Sequence, residues 1–343
     1  MADTGKVVAA SEASWWRRLG AGQTHFSFVG RARYFFALSL VVIVVGMLFL
    51  GVRGLNLGIE FKGGVSWQVP SATLTTGSAR AAASAGGATG VTAVSLGRGS
   101  SRTIEVEAEL PPTSQRAGIE NRVAADLGRA ARVNPSVVAV EFVGPTWGGQ
   151  ITDASLKALI AFFIGITLYI SIRFEWKMAV AAFVAVVHDL LVTVGVYAIS
   201  GFQVTPSTVI AVLTILGYSL YDTIVVFDRI KENVHGLVDS GSMSYSAGVD
   251  RSVNQVLARS LNTSIVAVIP ILSILVVGAY LLGATTLKNF GLALVVGLTS
   301  GAYSSLFIAS PLLAALKERE QGYRTVRRRL ARRHGKVEGE LAT

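Results

Sequence analysis

The sequence has no cysteine, which excludes disulfides, thiolate nucleophiles and cysteine-built metal sites. It is also poor in charge: only 15% of residues are Asp, Glu, Lys or Arg, while 51% are apolar. A water-soluble chain carries more charge on its surface, so this balance places the protein among membrane proteins. Acids are scarcer than bases, 21 against 31, and most of the resulting +10 lies in two end segments beside apolar runs. An anionic lipid surface at the basic tails satisfies that excess, and no specific nucleic acid is called for. With four histidines and no clustered ligand motif, neither a cofactor nor a metal is expected. A short leader-like apolar segment is also lacking, because the first apolar run, 34–52, has the full length of an anchor.

What is present is a series of long apolar stretches at 34–52, 155–172, 177–199, 206–227, 263–282 and 289–313. About 20 residues rising about 1.5 Å each cross the hydrocarbon, so each is a candidate transmembrane helix. Residues 53–151 have ordinary soluble composition and the pattern of a strand (59–69), a helix (73–84), two strands (91–96 and 103–108), a helix (114–131) and a strand (137–143). That βαββαβ order predicts an α+β ferredoxin-like domain between helices 1 and 2. Its acids Glu105, Glu107 and Glu109 alternate on one strand face and read as solvated decoration, and the Gly-rich run 144–149 reads as a flexible link. The fold class expected is therefore an α-helical membrane protein with six transmembrane helices plus this extracytoplasmic domain. Its parts are a tail (1–33, with Trp15 and Trp16 suited to an interface), helix 1 (34–52), the outer domain (53–151), a five-helix bundle (152–314) and a basic tail (315–343). Arg173 and Lys177, then Arg229, Lys231, Arg251 and Arg259, then the arginines after the last span mark the inner loops, so both termini are expected in the cytoplasm.

Two spans carry acids. His188 and Asp189 lie almost midway along the third, where desolvation favours a neutral acid and a nearby cation or water favours the carboxylate. Asp189 is thus the candidate proton carrier and His188 its relay or hydrogen-bond partner. In the fourth, Tyr218, Asp222 and Arg229 share a helical face pointing away from lipid, with Asp222 about two turns from the inner edge. These four residues, Asp189, His188, Asp222 and Arg229, form the expected proton pathway. Gly297, Gly301 and Ser305 recur every fourth residue in the last span and read as a helix-packing stripe. Two acids in adjacent spans also raise an intramembrane aspartyl protease as a rival, although their difference in depth opposes a shared proton.

The run 217–225 (GYSLYDTIV) followed by 228–233 (DRIKEN) resembles the signature of the SecD/SecF family of protein-export membrane subunits, which is RND-like. The residues carrying it are Gly217, Tyr218, Ser219, Asp222, Asp228 and Arg229. His188-Asp189, the run 57–64 (LGIEFKGG) and the run 259–264 (RSLNTS) add further similarity in the family's order. Three positions depart from it: Tyr221 stands where Asn is usual, and Glu60 and Lys62 stand where Asp and Thr are usual. The resemblance implies a multi-pass subunit of the bacterial cytoplasmic membrane, not an enzyme. It would pair with SecD beside the SecYEG channel and use the proton motive force to draw exported polypeptide outward, with Asp189 as the proton-carrying acid. The rival reading within the same superfamily is half of a proton-coupled exporter of small molecules or lipids, which ordinarily needs twice as many spans.

Overall fold

Among the described residues, six helices are long and apolar enough to cross a bilayer. The computed structural model describes residues 24–97, 99, 102–110, 115–281 and 285–341, so Trp15 and Trp16 lie outside the described residues. The spans begin with α1 (Ala32–Arg53). The segment between the first two spans follows as β1 (Asn56–Leu57), α2 (Ile59–Lys62), β2 (Gly64–Pro70), α3 (Thr76–Ala85), β3 (Thr89–Leu96), β4 (Thr103–Glu109), α4 (Arg116–Ala131) and β5 (Ala139–Val143). The chain returns through α5 (Pro145–Arg173), α6 (Trp176–Ser200), β6 (Gln203–Val204), α7 (Pro206–Val234) and the single turn α8 (Leu237–Ser240). It ends with α9 (Tyr245–Ser273, running on as a π-helix to Leu281), α10 (Thr285–Ser304), a π-helical turn (Ser305–Ala309), α11 (Ser310–Lys317) and α12 (Gln321–Leu341).

In the segment between α1 and α5, β3, β4, β2 and β5 lie side by side in that order, every pair antiparallel. Alternation decides the two faces: Val65, Trp67 and Val69 of β2 and Ile104 and Val106 of β4 are fully buried against Ala79 and Ala83 of α3 and Val123 and Leu127 of α4. The strand expected at 59–69 is split, because Gly63 and Gly64 take φ of 78° and 153°, which only glycine adopts easily, and Ile59–Lys62 closes a helical turn instead. The stretch 144–149 is not a flexible link either. Pro145 starts α5 at a position that needs no N–H donor, and Gly148 lets that first turn press on the backbone carbonyl of Phe61.

Of the spans, α6, α7 and the last one are the inner helices, whereas α1, α5 and α9 expose most of their apolar side chains. Two features tie the membrane part to the rest. At the end of the bundle next to the sheet, β1 and β6 pair in parallel, and Gly58 N–H donates to Val204 O at 2.9 Å, so the segment leaving α1 is joined to the one leading into α7. At the other end, the chain ahead of α1 is held on α9: Phe26 N–H donates to Asn254 Oδ1 at 3.0 Å, Asn254 Nδ2 to Phe26 O at 2.8 Å, and Val29 N–H to Asp250 Oδ1 at 2.8 Å. The fifth span is longer than its apolar run, because the polar-looking start of α9 buries Tyr245, Val249 and Val253 against the bundle.

Candidate functional site

Asp189 has no exposed surface, and both of its oxygens are ringed by donors from three helices. Oδ2 accepts from Ser219 Oγ of α7 at 2.5 Å and from Ser304 Oγ of α10 at 2.8 Å, while Oδ1 accepts from Ser300 Oγ at 2.7 Å and faces His188 Nδ1 at 3.1 Å. Ser300 and Ser304 stand one turn apart on α10, and both are buried. Gly301 between them allows the approach of α7, because a Cβ there would lie 2.8 Å from Ser219 Cβ. Gly297 admits Ile215 of α7 in the same way.

His188 continues the chain of bonds into α1. Its Nε2 is 3.0 Å from Ser39 Oγ; Ser39 Oγ donates to Tyr303 Oη at 3.2 Å, and Tyr303 Oη donates to Phe35 O at 3.0 Å. A carbonyl can only accept, so the Tyr303 proton points at Phe35 and the Ser39 proton at Tyr303, which leaves Nε2 as the donor to Ser39. The Nδ1 to Oδ1 contact then holds one proton, carried either by the acid or by an imidazolium. Glycine sets this register too: Gly46 on α1 meets Gly195 on α6, each about two turns beyond Ser39 and His188, and a Cβ on Gly46 would lie 2.5 Å from Gly195 Cα.

Asp222, 7% exposed, forms a second and separate node. Ser260 Oγ of α9 donates to its two oxygens at 3.0 and 2.8 Å, and Ser305 Oγ makes a short bond to Oδ2. The stripe Gly297, Gly301, Ser305 is therefore only partly a packing device, since Ser305 is a donor to the acid. No hydrogen bond joins the two carboxyls and they share no donor, so among the described residues the proton-sharing dyad of an aspartyl protease is absent. Arg229 is not brought to either acid: its Nε donates to Gln255 Oε1 at 2.8 Å and its Nη1 to Glu232 at 2.7 Å. Asp228 pairs with Arg173 at 3.1 Å. Tyr218 is half-buried, Tyr221 is 63% exposed on the outer side of α7, and nothing lies within 4 Å of a Cβ on Gly217. Among the described residues no group of three or more His, Asp or Glu is placed to hold a metal ion.

Of the three sheet acids only Glu109 is exposed as solvated decoration would be; Glu105 and Glu107 are not. Glu105 and Glu107 point from the sheet's second face toward the bundle, where Gln203 Nε2 donates to both oxygens of Glu107 at 2.7 and 2.6 Å. With Glu60 they border a crevice of about 190 Å³ that also includes Thr205 and Ser207. Burial pushes all three carboxyls up, and Glu105, next to Glu107, is raised to about 7. The sequence pattern located their strand face but not the bundle that closes over it. Ser39, Ser300, Ser304 and Tyr303 carry no signal in the sequence, since isolated hydroxyls in apolar helices have no spacing of their own, whereas Ser260 lies in the run 259–264 that resembles the family.

Comparison with known proteins agrees with this arrangement. The model "Protein export membrane protein SecD/SecF, C-terminal" matches residues 123–319, and the "SecD/SecF GG Motif" matches residues 48–70. The protein translocase subunit SecF of Streptomyces coelicolor is 40% identical over 95% of this chain and 86% of its own length. That of Mycobacterium leprae is 39% identical over 92% of this chain and 69% of its own. The crystal structure of SecDF, described as a translocon-associated membrane protein, from Thermus thermophilus superposes with a TM-score of 0.73 at 31% identity. It covers 87% of this chain and 39% of that longer one. With the family model spanning more than half of the sequence and a relative this similar over nearly its full length, the chain belongs to the SecD/SecF family of protein-export membrane proteins.

Proposed function

We propose that the protein is an auxiliary subunit of the Sec protein-export machinery, working with SecD in the bacterial cytoplasmic membrane to couple proton flow to the outward passage of polypeptide through SecYEG. The single observation that carries the coupling is Asp189, fully enclosed at mid-span yet bonded through His188 and Ser39 to α1. The antiparallel sheet between α1 and α5, in the order β3, β4, β2, β5 with both helices on one face, supports reading it as a ferredoxin-like domain, which on the charge bias lies outside the membrane. Both termini then lie in the cytoplasm, next to anionic lipid. The boundaries proposed are 34–52 for the first span, 53–151 for the outer domain and 152–314 for the bundle.

When Asp189 is protonated, it donates to His188 Nδ1, and the neutral pair sits easily in a dry interior. When the proton leaves, the carboxylate keeps its serine donors, but the His188 contact survives only if the imidazole takes up a proton. Loss of that contact frees the Ser39 link, and with it α1, which leads directly into β1 and the outer domain. The driving field is adequate, since one charge crossing about 100 mV releases about 2.3 kcal/mol, enough to bias two docked orientations. Asp189→Asn should still co-purify with SecD but lose the gradient-dependent part of export. Normal export by that variant when the proton gradient is collapsed and then restored would overturn the proposal.

A further inference from the structure

A crevice of about 520 Å³ opens where α1 begins and α11 gives way to α12. One wall is apolar, formed by Ala32 and Phe36 of α1 with Pro311 and Ala315 of α11. The opposite rim carries Arg319, Arg324 and Arg327. The crevice holds one acid, Glu318, and it is fully engaged: Oε2 accepts from Arg327 Nη1 at 2.9 Å, and Oε1 accepts from Ser246 Oγ at 2.7 Å and Ser246 N–H at 3.2 Å. The neighbouring acids Glu175 and Glu320 are taken up by Lys317 and Lys177. Arg319 and Arg324 therefore have no acid partner among the described residues, and both are exposed.

We propose that this crevice binds the phosphate headgroup of an anionic phospholipid of the inner leaflet, with Arg319 and Arg324 on the phosphate and the lipid's acyl chain along Phe36 and the outer face of α1. The site specifies the lipid contact of the orientation proposed above and rests on that reading. Guanidinium groups match phosphate oxygens in charge and in fork geometry. A free phosphate would use the arginines but not the apolar wall. A phospholipid uses both, because the wall continues one turn further along the same face of α1 into Leu40, which is exposed.

The test is native mass spectrometry of the delipidated full chain titrated with phosphatidylglycerol or phosphatidylcholine. Phosphatidylglycerol should be retained selectively. Arg319→Gln with Arg324→Gln should weaken its retention roughly 100-fold, the loss of two charge-assisted hydrogen bonds to the phosphate. Arg328→Gln with Arg329→Gln removes the same charge from α12 outside the crevice and should change little. Ala315→Trp, which fills the crevice while keeping every charge, should also lose the lipid, and melting of each variant in phosphatidylcholine controls for folding. Equal loss in both double variants would mean diffuse attraction only. That outcome ends the site but leaves the general affinity of the basic tail for anionic membrane intact. Retention by Ala315→Trp, or equally effective competition by glycerol 3-phosphate, would overturn the proposal as well.

Discussion

At the scale of single residues, the site depends on which atom holds each proton. Tyr303 sets the direction of the chain: its own proton goes to Phe35 O, so Ser39 must donate to it and His188 Nε2 must donate to Ser39. Nitrogen-15 spectra of His188 should therefore report a protonated Nε2 whether or not Nδ1 carries a proton. In Tyr303→Phe, Ser39 is free to turn its hydroxyl toward the ring, and the other tautomer should become populated. An unchanged spectrum in that variant would mean that Tyr303 does not orient the relay. Asp189 and His188 were legible in the sequence because a charge-bearing pair in the middle of an apolar run is conspicuous. Ser300 and Ser304 were not, since a hydroxyl is ordinary in a membrane helix and gains its role only when a neighbouring helix presents a carboxyl to it.

At the scale of elements, close helix contact is what brings the donors within bonding distance. Gly46 and Gly195 let α1 touch α6, and Gly301 lets α10 touch α7, so added methyl groups act on the acid without contacting it. Gly46→Ala should cost about 1 to 3 kcal/mol by overpacking, read as a lower melting temperature, and should lengthen the Ser39 to His188 contact. Gly217→Ala is the contrasting case. It belongs to the signature run, yet its added Cβ meets nothing within 4 Å, so the variant should melt at the same temperature or be stabilised by up to about 1 kcal/mol from helix propensity. The four-residue spacing of Gly297, Gly301 and Ser305 was readable as a stripe from the sequence. That its last member bonds Asp222 follows from which helix it faces: Gly301 packs on Ser219, and one turn further along each helix Ser305 meets Asp222.

At the scale of the whole molecule, the four-stranded sheet rests on the bundle through Glu107 with Gln203, beside the pairing of β1 with β6, and the acids beneath the sheet make that seat sensitive to pH. Glu105 lies above its ordinary 4.5, at about 7, because burial penalises its charge and Glu107 adds repulsion, while Gln68 and Lys288 oppose the shift. The protonated form thus favours the docked state. Its contribution is complete below about 4.5 and is lost as the pH rises through about 7. Protection factors at the β6 amides, corrected for the base catalysis of intrinsic exchange, should accordingly be higher near pH 5 than near pH 8, and Glu105→Gln should remove most of that difference. Glu60 and Glu107 shift in the same direction, and the Gln203 bond partly offsets the shift at Glu107.

The sequence by itself determined the six spans, the alternation of strands and helices outside them, and the depth of Asp189, because hydrophobic length and period are local properties of the chain. Only the tertiary structure decided what each polar group meets: that Arg229 is spent on Gln255 and Glu232, that Glu105 and Glu107 are covered, and that three serines and a histidine enclose one carboxyl. The physical reason is that a buried charge is governed by its partners, and here those partners come from helices far apart in the chain, brought together by glycines whose lack of a side chain gives no sign of which neighbour they admit.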